Sequence, residues 1–231
     1  MSQTIEFKND LNLTIFGCSG IGKSSLLNNI MNYCKASQNI KKFAKVRDDQ
    51  TGQLTTKFEK YVATPKFKIF DTLGWNWEKN NFSTDLFSKM LQGLLNNLED
   101  LEKPTFRKQP DPYTTMNSVA FVVNQNLFSE KYIQYLKPYY EITKKLKKMC
   151  LFVVTFIDEL DDVKEVFSKS NEFTDIASAI NKSKKYKEIQ RFIRDNIDKD
   201  VTIIPMINYT FDSTFSSSIQ RDDSNFLVLS L

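Results

Sequence analysis

The stretch Leu13 to Ile30, LTIFGCSGIGKSSLLNNI, joins an apolar run to an amphipathic one through a glycine-rich turn. Within it Gly17, Cys18, Ser19, Gly20, Ile21, Gly22, Lys23 and Ser24 fit the spacing GxxxxGKS. Glycines in such a turn accept positive φ and let successive backbone N–H groups converge on a phosphate. The start of the following helix adds positive potential, a lysine reaches the outer phosphates, and the hydroxyl after it can ligate magnesium. Each requirement has a residue: Gly17, Ser19, Gly20, Ile21, Gly22, Lys23, Ser24 and Ser25 around the phosphates, with Ser24 also on the metal. The turn follows a strand pattern and opens a helical one, the context that separates a phosphate cradle from an ordinary glycine turn. Cys18 reads as a small filler, since no base accompanies its thiol.

Outward from this turn, short apolar runs alternate with helical periodicities. Strands are expected at Leu11 to Phe16, Phe67 to Thr72, Ser118 to Asn124, Cys150 to Ile157 and Val201 to Ile207. Helices are expected at Ser24 to Lys35, Asp85 to Glu102, Ser129 to Lys148 and Ser183 to Ile197. Doubly apolar strands separated by helices predict a mostly parallel sheet with helices on both faces: an α/β fold of the P-loop NTPase three-layer type, with ligands at the carboxyl ends of its strands. The alternating segment Leu54 to Ala63 reads as an edge strand that turns at Thr64 and Pro65 and pairs antiparallel with the strand after it. One domain over 1–231 is expected, with a helix-plus-loop insertion at about 75–117 whose loop, Glu102 to Asn117, holds three of the six prolines. The closing FLVLSL is expected to dock a last helical turn on the core.

Composition removes whole classes of function. No run approaches the roughly 20 apolar residues that span a bilayer, and the N-terminus lacks a signal-peptide layout, so a cytoplasmic protein without a transmembrane segment is expected. With no histidine and three cysteines at unrelated spacings, a zinc centre and a histidine-dependent triad are excluded. The net charge of +4 is spread along the chain and indicates no nucleic-acid partner. The lysine cluster Lys144 to Cys150 reads as a solvated helix end, where cations suit the helix dipole.

A glycine cradle alone does not choose among ATPases, kinases and GTPases; the second strand does. FKIFDTLGW, Phe67 to Trp75, places Asp71 at a strand end, followed by Thr72, Leu73 and Gly74. In this DxxG arrangement the carboxylate faces the cradle and holds magnesium through water, while the glycine amide senses a γ-phosphate.

With both motifs in place the chain resembles a GTPase of the translation-factor-related P-loop class. More narrowly, it resembles the interferon-induced protein 44 family, whose members carry a P-loop, a DTxG turn, a helical insertion and a late KNY-like motif. The resemblance runs from Leu11 to Leu231 and also rests on TTKFEKY (Thr55 to Tyr61), DLFSKMLQGLLNNL (Asp85 to Leu98) followed by NSVAFVVN, and PMINYT (Pro205 to Thr210). It implies binding of GTP and GDP with Mg2+, slow GTP hydrolysis, and a nucleotide-dependent homodimer or an effector protein as partner. The family's switch threonine would fall in LTTKF, with Thr56 the better match, Thr55 the alternative and Thr51 a further candidate. Such a threonine closes over the γ-phosphate as a metal ligand, which would make Lys23 and Thr56 the catalytic pair.

Base recognition in such GTPases uses Thr or Asn, Lys, any residue, then Asp. Here TFID supplies Thr155, Phe156, Ile157 and Asp158, with phenylalanine in the lysine's place. Asp158 would accept two hydrogen bonds from the guanine edge, Phe156 would pack on base or ribose, and Asn208 would contact the base or brace Asp158. Adenine is the competing base.

Directly after Gly74, where efficient small GTPases place a water-orienting glutamine, stands Trp75. An indole donates one hydrogen bond and accepts none, so intrinsic turnover is expected to be slow. Trp75, Trp77 and Phe82 form an apolar group that either anchors an interface or packs under the helix that follows. Two functions therefore stand side by side: a slow GTPase switch, and a nucleotide-gated interaction module with negligible hydrolysis. An ATP-dependent kinase would need arginines converging from a lid, whereas the five arginines are scattered.

Overall fold

The computed structural model describes residues 10–35, 43–44, 57–72, 82–96, 99–101, 103–170 and 173–207, apart from the side chains of Glu99, Leu127 and Phe173. Seven strands form one sheet: β1 Leu11–Phe16, β2 Lys57–Thr64, β3 Phe67–Asp71, β4 Glu99–Asp100, β5 Ser118–Asn124, β6 Met149–Thr155 and β7 Thr202–Pro205, in the spatial order β4-β2-β3-β1-β5-β6-β7. From β3 to β7 every pairing is parallel. As the alternation around Tyr61 predicts, β2 turns back and pairs antiparallel with β3. All seven residues of β5 are buried, as a central strand covered on both faces requires.

The register sorts the two faces of the sheet. Ile15 and Asp71 are partners, as are Phe16 and Phe121, so Phe16 and Asp71 project from opposite sides. On the Phe16 side lie α2, Thr84–Leu91, and α3, Glu130–Lys145. Rings of Phe87 and Tyr139 from these helices sit 4.4 and 4.9 Å from that of Phe16. On the Asp71 side lies α1, Lys23–Cys34, whose first residue brings its charge to Asp71. Helices on both faces of a mostly parallel sheet make this the three-layer α/β arrangement anticipated from the alternation of elements.

The sequence periodicity from Asp85 to Glu102 overstates the helix, and the structure corrects it. The helix α2 ends at Leu91 because Gly93 adopts a left-handed φ of 76° and turns the chain away. A Cβ there would stand 2.7 Å from the Asp111 carbonyl, so the proline-rich loop closes directly onto this glycine. Asp111 N donates to the Gly93 carbonyl at 3.0 Å, and Arg107 Nε donates to Asn96 Oδ1 at 2.7 Å. Beyond the turn, β4 adds two residues to the outer edge of β2, so the chain between β3 and β5 contributes a strand as well as a helix and a loop.

Two helices were absent from the sequence expectation: α4, Asp161–Lys169, and α5, Phe173–Lys182. Val163, Ile176 and Ile180 bury against the core, too few apolar positions to stand out among polar neighbours. The helix α6, Lys184–Asn196, packs beside α3, with the rings of Phe128 and Phe192 5.1 Å apart.

At the end of α6, Asp198 accepts from Lys144 Nζ at 2.6 Å and from the Tyr140 hydroxyl at 2.7 Å, both on α3. The Lys144 bond, then the Asp200 N–H, then Tyr140 hold its carboxyl well below the ordinary carboxylate range. A depressed pKa contributes stability that is present above the unfolded value of about 3.9 and is lost as pH falls below it. In acid titration followed by circular dichroism, wild type should therefore lose stability relative to Asp198→Asn between about pH 5 and pH 2. Parallel titration curves would remove this ion pair from the stability of the fold.

Candidate phosphate and base site

The cradle is built from the end of β1. Only glycine fits at position 17, because a Cβ would stand 2.3 Å from Ile21 Cδ1 and 2.9 Å from the Val122 carbonyl of β5. Gly20 and Gly22 take left-handed φ of 78° and 92°, which turns the backbone around an open centre. Gly22 is the N-cap of α1, with no side-chain cap bond and no acidic residue in the first turn. The first N–H groups of a 12-residue helix thus face the turn without an internal acceptor, as an anion site requires.

Lys23 is 7% exposed and folds back over the loop, its Nζ donating to the Cys18 carbonyl at 2.7 Å. Burial pushes its pKa down, while the charge of Asp71 pulls it up. A carbonyl is a weak partner for a buried ammonium, so a phosphate oxygen would displace it readily. Ser24 and Ser25 are half-buried at the start of the helix. Cys18 is buried beside the Tyr132 hydroxyl, and burial pushes its thiol pKa up, which fits a packing role.

Opposite stands Asp71, 2% exposed at the end of β3. Its Oδ1 has no hydrogen-bond partner among the described residues. Burial drives its pKa up to about 6 against the lowering effect of Lys23. An orphaned carboxylate oxygen facing a lysine head suits a cation or a water on that cation. Among the described residues no three Asp, Glu, Cys or His side chains gather into a metal cage. These residue types suit a magnesium ion of the kind found at nucleotide sites, which the Ser24 hydroxyl and Asp71 would help to hold. Thr72 fixes the strand end, its hydroxyl donating to the Ile15 carbonyl at 2.8 Å.

The end of β6 meets the cradle through Thr155, whose hydroxyl donates to the Ile21 carbonyl at 2.8 Å. That bond ties the first residue of TFID to the phosphate loop itself, and residue spacing alone did not disclose it. Phe156 follows at φ 59°, a left-handed conformation that costs a non-glycine residue about 1–2 kcal/mol. That conformation turns the chain into the short helix Ile157–Glu159, where Asp158 has one carboxylate oxygen shielded from solvent. Met206 N donates to the Val154 carbonyl at 2.8 Å, so the chain after β7 passes the same loop.

Phe156→Gly removes the strain together with the ring. Its melting temperature without nucleotide should stay near that of wild type, while nucleotide affinity falls about tenfold if the ring stacks on the base. Calorimetric titration checks this, and unchanged affinity would place the ring away from the nucleotide.

Lys23, Ser24, Ser25, Asp71 and the Thr155 to Asp158 loop thus converge at the carboxyl ends of β1, β3 and β6. Thr51, Thr55, Thr56, Gly74, Trp75, Trp77 and Asn208 lie outside the described residues. Phe82 is 1% exposed, its ring 5.4 Å from that of Phe16 and its carbonyl accepting from the Tyr139 hydroxyl. For this member of the apolar group, packing prevails over an exposed anchor.

Sheet order, helix layers and glycine cradle together define an α/β P-loop NTPase fold. No protein-family model and no curated protein matches the sequence. Among solved structures the chain is similar to LeoA, a bacterial dynamin GTPase from ETEC, with a TM-score of 0.51 and 12% identity over 96% of this chain. The match covers 38% of the LeoA chain, so this protein spans well under half of that neighbour's length. At such identity the likeness speaks for the fold alone.

Proposed function

We propose that this chain is a guanine-nucleotide-binding protein that takes GTP and GDP with Mg2+ and hydrolyses GTP slowly as a molecular switch. The observation that carries the reading is the buried Lys23 at the uncapped start of α1, whose charge acts on Asp71, a carboxylate with one oxygen lacking a partner among the described residues. The N–H groups from Gly17 to Ser25 would bind the phosphates, and Lys23 Nζ would leave the Cys18 carbonyl for the β- and γ-phosphate oxygens. When bound, magnesium offsets the charge of those oxygens. Ser24 and Asp71 orient its shell, Thr56 completes it, and Gly74 senses the γ-phosphate. Asp158 reads the guanine edge, flanked by Phe156 and Asn208. The likeness to a dynamin GTPase and the resemblance to the interferon-induced protein 44 family agree with this reading.

In hydrolysis a water oxygen attacks the γ-phosphorus, the bond to the β–γ bridging oxygen breaks, and GDP and inorganic phosphate leave. Trp75 cannot accept a proton or hydrogen bond from that water, which favours a second reading: a nucleotide-gated module whose GTP state presents a surface to a second copy or an effector. Cytoplasmic placement accompanies either reading, and no described helix is long and apolar enough to cross a membrane. Calorimetry with GDP and with non-hydrolysable GTP and ATP analogues in Mg2+ tests the reading. Absence of binding overturns it, equal affinity for the two triphosphates removes the guanine assignment, and GTP turnover with purified protein separates the switch from the gated module.

A further inference from the structure

The antiparallel register of β2 and β3 sets Glu59 directly opposite Asp71. Opposed residues on adjacent strands project from the same face with Cβ atoms about 5 Å apart. That face is the α1 side of the sheet, where Asp71 meets the charge of Lys23. Two residues along, Tyr61 shares the face, and its phenol donates to Glu59 Oε2. The charge of Glu59 reaches Asp71, and both carboxylates act on the Tyr61 phenol.

Placing a second acid beside a buried acid destabilises both in the absence of a cation. Among the described residues no lysine or arginine forms an ion pair with Glu59. Its carboxylate is instead held by a phenol on the face that it shares with Asp71, whose Oδ1 lacks a hydrogen-bond partner among the described residues. Magnesium in nucleotide sites keeps several of its waters, and those waters need acceptors beyond the metal. Such outer acceptors set metal affinity through orientation.

We propose that Glu59 is a second carboxylate of the magnesium site, accepting hydrogen bonds from the ion's water shell on the Asp71 side, with Tyr61 fixing its orientation. Glu59 is a positioning residue in this scheme, and the proposal rests on the magnesium-nucleotide reading above. It gives β2 a part in metal binding apart from the segment that carries Thr56.

The test follows release of a fluorescent GDP analogue as free Mg2+ is varied, with EDTA as the metal-free limit. Glu59→Gln should raise the Mg2+ concentration needed for half-maximal retention about tenfold, and Tyr61→Phe should raise it by a smaller factor. Glu59→Gln removes one of two opposed acids, so neither its nucleotide affinity in EDTA nor the melting temperature of its nucleotide-free form should fall below wild type. Were Glu59→Gln to keep the wild-type Mg2+ dependence while Asp71→Asn shifts it, the proposal would be overturned and the nucleotide reading would stand. Wild type whose nucleotide binding ignores Mg2+, or that binds none, would overturn the underlying reading before any variant is measured. If Glu59→Gln does not fold, Tyr61→Phe carries the test, since it keeps both carboxylates: a shifted Mg2+ dependence supports the proposal and an unshifted one overturns it.

Discussion

Lys23→Ala should cost nucleotide affinity by a factor of about 10² to 10⁴, read by calorimetry with GDP in Mg2+. Among the described residues the Lys23 ammonium is the cation at the cradle, and two charge-assisted bonds to phosphate at about 1.5–3 kcal/mol each account for that range. The fold should survive. In the absence of nucleotide the lysine head meets a single carbonyl, at 2.7 Å, and burial already disfavours its charged form. A melting curve close to that of wild type, beside a lost binding isotherm, is therefore the expected pair of results. Unchanged GTP turnover by the same variant would show that any hydrolysis in the preparation does not come from this site.

The second large effect is on the choice of base. Asp158→Ala should lower GDP affinity by about 10²-fold, since two hydrogen bonds from the guanine N1 and N2 edge are lost at about 1.5 kcal/mol or more apiece. Affinity for ADP should hardly change, because adenine offers that carboxylate no matching pair of donors. The ratio of GDP to ADP affinity is therefore the quantity to measure, with Asp158→Asn as the isosteric companion. The placement that motivates this is specific: Thr155 of the same loop is bonded to the Ile21 carbonyl, so Asp158 is carried on a segment fixed to the phosphate cradle. A GDP to ADP ratio that does not move would detach Asp158 from the base.

The cradle was legible in the sequence because its chemistry is local. Glycines at 17, 20 and 22, Lys23 and Ser24 all fall in the one short stretch from Gly17 to Ser24, and the glycine conformations follow from steric demands that the residue type declares. The antiparallel β2 was legible for a similar reason, through alternation and a turn at Pro65. What escaped depended on partners distant in the chain. The helix expected to reach Glu102 stops at Leu91 because Gly93 contacts Asp111 and Thr115, residues of a loop whose path no periodicity reveals. Glu59 looked like one charge in an edge strand until register set it against Asp71. Both α4 and α5 rest on so few buried side chains that only the assembled core makes them visible.

The bond from Thr155 to Ile21 spans 134 positions of the chain and also has an implication for biosynthesis. A ribosome delivers the glycine turn well before β6, so the loop that would enclose a phosphate lacks its brace until Thr155 has emerged. Contacts of such long separation form late and slowly, because closing a large loop precedes any gain from the contact. Nucleotide in the surrounding solution would then meet a competent pocket only after β6 has been made, and would act as a latch on an assembled sheet instead of a template for a nascent one.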